Sequence, residues 1–221
     1  GVRLVGTYLP HSADARRGVL LFCHEMTGDR WNAIPYLNAL RSSGYDVFTF
    51  DFRNHGASGS TDYEPLPWAT VYEVRDVQAA LAMLDSRPDR DPRGVGVLGI
   101  SRGGSAAMCA ATGNPRVRAI ATDGAFPIVP MQVYYMRRYA RIFAWWAPVL
   151  PLVPEWYIAV HMRWALVHVA RMRKCLFGRV ERIARRLKIP KLMIHGGSDS
   201  YIPMPVVEQL KCRLPRPVEQ W

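Results

Sequence analysis

The stretch Val95–Met108, VGVLGISRGGSAAM, decides how the rest of the chain is read. Val95–Ile100 is an apolar run that fits a buried strand, and Ser105–Ala111 is a run of small helix formers. Between them lies Gly99-Ile100-Ser101-Arg102-Gly103, a serine flanked by residues without side chains at a strand-to-helix junction. A serine hydroxyl is a poor nucleophile until a base takes its proton and the backbone presents it to a substrate. A sharp turn with glycine on either side provides that presentation, because strand and helix can then approach closely. Ser101 is therefore the candidate nucleophile. The competing reading, a polar residue in a glycine-rich turn, would leave the surrounding strand and helix without a purpose for the serine.

Working outward, the chain alternates two periodicities. LVGTYLP (4–10), GVLLFCH (18–24), YDVFTFDF (45–52), RGVGVLGI (93–100) and VRAIATDGA (117–125) read as strands. RWNAIPYLNALRSSG (30–44), WATVYEVRDVQAALAMLDSR (68–87) and SRGGSAAMCAAT (101–112) read as helices, the first stopping at Gly44. This alternation predicts βαβ units, a mostly parallel sheet and helices on both faces, the α/β class. From residue 127 to 189 the pattern is helical only, with MQVYYMRRYARIFAWWA (131–147), EWYIAVHMRWALVHVARMRKC (155–175) and RVERIARRLK (179–188), the first two separated by Pro148, Pro151 and Pro154. PKLMIHGGSD (190–199) restores a strand and MPVVEQLKCR (204–213) a helix. The expected organisation is a core of residues 1–126 and 190–221, with residues 127–189 inserted as a helical cap.

The 221 residues are nearly half hydrophobic and one-fifth charged, which excludes a disordered chain. No uninterrupted apolar run reaches the ~20 residues of a membrane span. The net charge of +11 is concentrated: Met131–Lys188 holds 12 Lys/Arg and 2 Asp/Glu, nearly all of the excess. Cys23, Cys109, Cys175 and Cys212 are widely spaced with no C-x-x-C pair, and are expected to be reduced thiols in a cytoplasmic protein. No His/Cys/Asp/Glu cluster has metal-ligand spacing, and no motif calls for a cofactor, so none is expected.

Four motifs in order then carry a resemblance to the α/β-hydrolase superfamily, in its serine esterase, lipase and aminopeptidase-like branches. They are LLFCHEMTGDRW (20–31), DFRNHGASG (51–59, with Asn54 where the family has glycine), the turn at Ser101, and IHGGSDSYIP (194–203). The resemblance implies that Ser101 is the nucleophile of a triad and Asp199 its acid, with Asp123 the fallback acid. The backbone N–H groups of Met26 and Arg102 would form the oxyanion hole, and such donors supply about 3–4 kcal/mol each to the transition state. His24-Glu25-x-x-Gly28 is similar to the dienelactone-hydrolase branch, where the glutamate interacts with the resting nucleophile. The other reading of Glu25 is a loop carboxylate that bonds amides or pairs with Arg30 or Arg102, and both readings stand. The implied activity is hydrolysis of carboxylic esters or thioesters. The alternatives are a catalytically inactive hydrolase-like protein that binds lipids or a partner, and a hydrolase of small peptides or amides.

The triad also needs a histidine, which in this family follows the acid in chain order. The last histidine is His195, and PRPVEQW (215–221) reads as the start of the strand before the expected one. We expect both ends of the sequence to be trimmed relative to a whole enzyme. His24, His55 and His195 sit in motifs where a structural role is usual; His11 lies in a surface turn; His161 and His168 fall in the cap. The cap also carries Tyr134, Tyr135, Tyr139, Phe143, Trp145, Trp146, Trp156, Tyr157 and Trp164, which either line an apolar acyl pocket or serve as core. Its basic residues beside tryptophans match helices that lie on anionic membranes, so weak peripheral association is expected; nucleic acid is not. Oligomeric state is left open.

Overall fold

The computed structural model describes residues 1–221. Seven strands form one sheet: β1 (Gly6–Leu9), β2 (Gly18–Cys23), β3 (Tyr45–Phe50), β4 (Val95–Ile100), β5 (Val117–Asp123), β6 (Lys191–Ile194) and β7 (Val218–Gln220). Their spatial order is β1-β3-β2-β4-β5-β6-β7. Only β1 runs antiparallel, against β3; every other pair is parallel. The helices are α1 (Ile34–Ser42), α2 (Val71–Ser86), α3 (Ser101–Ala111), α4 (Ile128–Phe143), α5 (Glu155–Met172), α6 (Val180–Ile183) and α7 (Met204–Lys211).

Strand alternation sorts the core onto two faces. Val19, Leu21 and Cys23 of β2 point to the face covered by α2, α3 and α7, where the largest cluster forms with Val97, Ala106, Met108 and Val207. Phe22, Val47 and Leu98 point to the other face, where Ala33 and Leu37 cover them. The capping box Thr70-x-x-Glu73 starts α2: the Thr70 hydroxyl accepts from Tyr72 N–H, and Glu73 accepts from Thr70 N–H at 2.8 Å.

Between β5 and β6 the chain is helical, as the sequence predicts. α4 and α5 pack through Val129, Val133, Ile158 and Leu166. Two expectations are corrected here. RVERIARRLK is not one helix: α6 is a single turn followed by a 3-10 run at Ala184–Arg186. Val180, Ala184 and Leu187 are nonetheless buried, so a short irregular segment satisfies the apolar pattern. The cap aromatics are mostly not core either. Phe143, Trp145, Trp156 and Trp164 are 81, 92, 68 and 72% exposed, while α5 buries only Ile158 and Leu166. No helix is long and apolar enough to cross a membrane.

Candidate active site

The parallel register brings the candidate residues to one edge of the sheet. Cys23 pairs with Gly99, Ile100 with Asp123, and Asp123 with Ile194. The residues that leave these strands, His24, Ser101, Gly124 and His195, therefore emerge side by side at the carboxyl ends, where open α/β sheets place their sites.

Ser101 has φ +50°, the left-handed region that a non-glycine residue enters only under constraint. The constraint is steric closeness on both sides. A Cβ on Gly99 would lie 2.6 Å from Gly104 Cα, and one on Gly103 would lie 2.2 Å from the His24 carbonyl oxygen and 2.5 Å from that of Cys23. Gly103 thus lets α3 dock against the end of β2, beside the loop that carries Met26. Met26 N–H has no hydrogen-bond partner within the chain, and α3 begins without a side-chain cap, so its first N–H groups remain available to an anion. Met26 and Arg102 accordingly have backbone donors suited to an oxyanion.

His24 fixes this loop. Its Nδ1 lies 2.6 Å from the Glu25 carbonyl oxygen and its Nε2 accepts from Phe52 N–H at 3.1 Å, which defines a neutral tautomer with the proton on Nδ1. Burial pushes its pKa down to about 4. His55 spans the carbonyls of Arg53 and Met26, each 2.7 Å from a ring nitrogen. Arg30 pairs with Asp51 and Arg102 with Glu73, so neither of the Arg partners considered for Glu25 is free. Glu25 instead accepts from the Asn32 side chain, within its own loop.

The side chain of Arg102 is the element that sequence reasoning missed. It is almost fully buried, its Nη1 donates to Leu66 O at 3.1 Å and lies 3.6 Å from Glu73, and its Nη2 lies 3.0 Å from His55 Nε2. Burial pushes the guanidinium down, and Glu73 pushes it back up. The nucleophile turn is thereby tied to the start of α2, with the guanidinium packed beside His55, the ring that meets the Met26 carbonyl. The T-x-x-E signature at Thr70 was legible, but its link to Arg102 was not.

Both acids reach the site region. Asp199 accepts from Tyr201 N–H at 2.7 Å and Ile202 N–H at 2.9 Å, which fixes its carboxyl within its own loop. α4 is tied to this loop by Tyr135 OH, which donates to Tyr201 O at 2.6 Å, and by Arg138, which donates to Ser200 O at 3.1 Å. The Asp123 carboxyl is raised by burial; His195 lowers it and Asp199 raises it. His195 is buried, and neither of its ring nitrogens has a hydrogen-bond partner within the chain. His161 and His168 are exposed on α5, and His11 is bonded to Asp46. No histidine is hydrogen-bonded to Ser101.

A family model described as the alpha/beta hydrolase family matches residues 20–220. The uncharacterized protein Rv2307c of Mycobacterium tuberculosis is 28% identical over 211 residues, 95% of this chain and 62% of that protein. The thiohydrolase aneE of Aspergillus aculeatus is 29% identical over 124 residues, 54% of this chain and 37% of that protein. The Pyrococcus furiosus esterase Pf2001 superposes with a TM-score of 0.67 at 23% identity, covering 100% of this chain and 76% of its own. The chain thus spans about three-fifths of the length of Rv2307c.

Proposed function

Because the chain belongs to the alpha/beta hydrolase family, we infer that it is a serine hydrolase that cleaves carboxylic esters or thioesters through an acyl-enzyme on Ser101. The observation that carries this reading is the backbone of Ser101 itself, held at φ +50° between two glycines whose neighbours leave no room for a Cβ. Strain of this kind costs on the order of 1–3 kcal/mol and persists where the surrounding structure enforces it. In the proposed reaction, the Ser101 hydroxyl adds to the acyl carbon as a base takes its proton, and the carbonyl oxygen becomes an oxyanion facing Met26 and Arg102 N–H. Collapse of that intermediate expels an alcohol or thiol, and water then releases the acid by the same route in reverse. Asp199, held in place by two backbone N–H bonds, is proposed as the acid that orients the base; burial favours the protonated form of Asp123, which suits it less to that role. The resemblance places the base, a histidine, after the acid in chain order.

The acyl group is proposed to be hydrophobic, on the strength of the aromatic helices joined to the Asp199 loop through Tyr135 and Arg138. Thioesters are included because of the likeness to a thiohydrolase. A second reading, a hydrolase-like binding protein without catalysis, draws on the absence of any histidine bonded to Ser101. The two separate in one assay: ester and thioester turnover by the full-length protein that is lost in Ser101→Ala supports the enzyme, whereas turnover unchanged by that substitution rejects it.

A further inference from the structure

α5 is apolar on two opposite sides. Ile158, Met162 and Leu166, spaced by four, pack against α4. Trp156, Val160 and Trp164 follow the same spacing on the opposite side, with Val167 three residues on, and the stripe is largely uncovered: Val160 is half-buried, while Trp156, Trp164 and Val167 remain 68, 72 and 46% exposed. Continued by one turn, the bare stripe reaches Arg171.

There it opens into a groove of about 460 Å³ between α5 and the start of α2, lined by Val71, Tyr72, Arg75, Val167, Arg171 and Lys174 among others, with no acidic residue in the lining. The acids nearby are already engaged. Glu73 bonds Thr70 and Tyr63 and faces Arg102; Asp76 takes Arg53; Glu64 takes Arg173. Arg75, Arg171 and Lys174 take part in no ion pair. The Lys174 backbone is held in place by Tyr72 OH, which donates to its carbonyl at 2.9 Å.

We propose that α5 is a docking helix for anionic phospholipid bilayers, its Trp156–Trp164–Val167 stripe entering the interface while the Arg75–Arg171–Lys174 groove receives a lipid phosphate. Two features side by side select this occupant. An uncovered stripe with tryptophans seats at the headgroup–acyl boundary, and uncompensated cations beside it are attracted by the surface potential of an anionic leaflet. A free phosphate would explain the groove but not the tryptophans; an apolar protein surface would explain the tryptophans but not the unpaired cations. The proposal does not depend on Ser101.

The test is flotation of the full-length protein with vesicles of phosphatidylcholine alone and of an equimolar phosphatidylcholine–phosphatidylglycerol mixture. The protein is expected to float with the mixed vesicles and to be released as salt is raised. Arg171→Gln combined with Lys174→Gln should weaken partitioning roughly thirtyfold, from the contribution of each basic residue near a charged surface. Trp164→Ala should weaken it as well without altering the circular dichroism, since that side chain is exposed. Ser101→Ala should float like the wild type. Equal partitioning onto both vesicle types, or wild-type flotation by both the charge variant and Trp164→Ala, would overturn the proposal.

Discussion

At Ser101 the backbone records a trade between stability and presentation of the hydroxyl. Because glycine adopts φ +50° without penalty, Ser101→Gly is expected to abolish turnover and yet raise stability by about 1 kcal/mol, after the greater unfolded-state freedom of glycine is subtracted. Thermal unfolding checks this, and a lower Tm than wild type would remove the strain argument. Gly103 makes the opposite statement. A methyl there meets two backbone carbonyls at 2.2 and 2.5 Å, neither of which can rotate away as a side chain would. Gly103→Ala should cost about 1–3 kcal/mol by overpacking, and by displacing α3 from the Met26 loop should lower kcat/KM roughly a hundredfold. Asn54 shows how far a motif tolerates change: the family glycine is replaced, but φ is +61° and asparagine is among the residues that accept it, here anchored by bonding Thr61 N–H at 2.6 Å. The letters of the motif departed while its backbone did not.

At the level of elements, α2 and α3 are joined through a buried charge. Removing Arg102 alone leaves Glu73 buried with only Thr70 and Tyr63 as partners, so Arg102→Met should destabilise by roughly 3 kcal/mol, whereas Arg102→Met with Glu73→Gln should recover much of that loss. Chemical denaturation of the two variants reads the difference directly. The sequence made the elements themselves plain. Val95–Ile100, the strand–turn–helix at Ser101 and the alternation of strands with helices are local patterns, and local patterns survive folding. Contacts between distant segments left no such trace: that Arg102 would point inward to Glu73, or that α5 would bury one stripe and leave much of the opposite one bare, depends on how elements pack. RVERIARRLK shows the converse limit, since its apolar spacing is met equally by one helical turn and a 3-10 run.

At the scale of the whole molecule, seven strands in register bring four chain segments to one edge, and the acidic limit of that assembly is set in part by His24. Its folded pKa, about 4, lies below its ordinary value because burial disfavours the charged ring. The unfolded chain therefore binds the proton more readily. The contribution to stability is fully present above about pH 6.5 and is lost as pH falls toward 4, up to ~3 kcal/mol from this residue. Stability measured against pH should fall through that window, and His24→Asn, which retains a polar side chain without the titration, should flatten the fall; an unchanged slope would remove His24 as its source. The fold, the glycine-flanked turn and the two free backbone donors converge on one claim, that Ser101 attacks the acyl carbon. Its most direct test is to expose the full-length protein to a fluorophosphonate, digest it and locate the adduct by mass spectrometry. The account predicts a single adduct on the peptide containing Ser101, absent in Ser101→Ala. An adduct on a different residue, or none in folded protein, would contradict it.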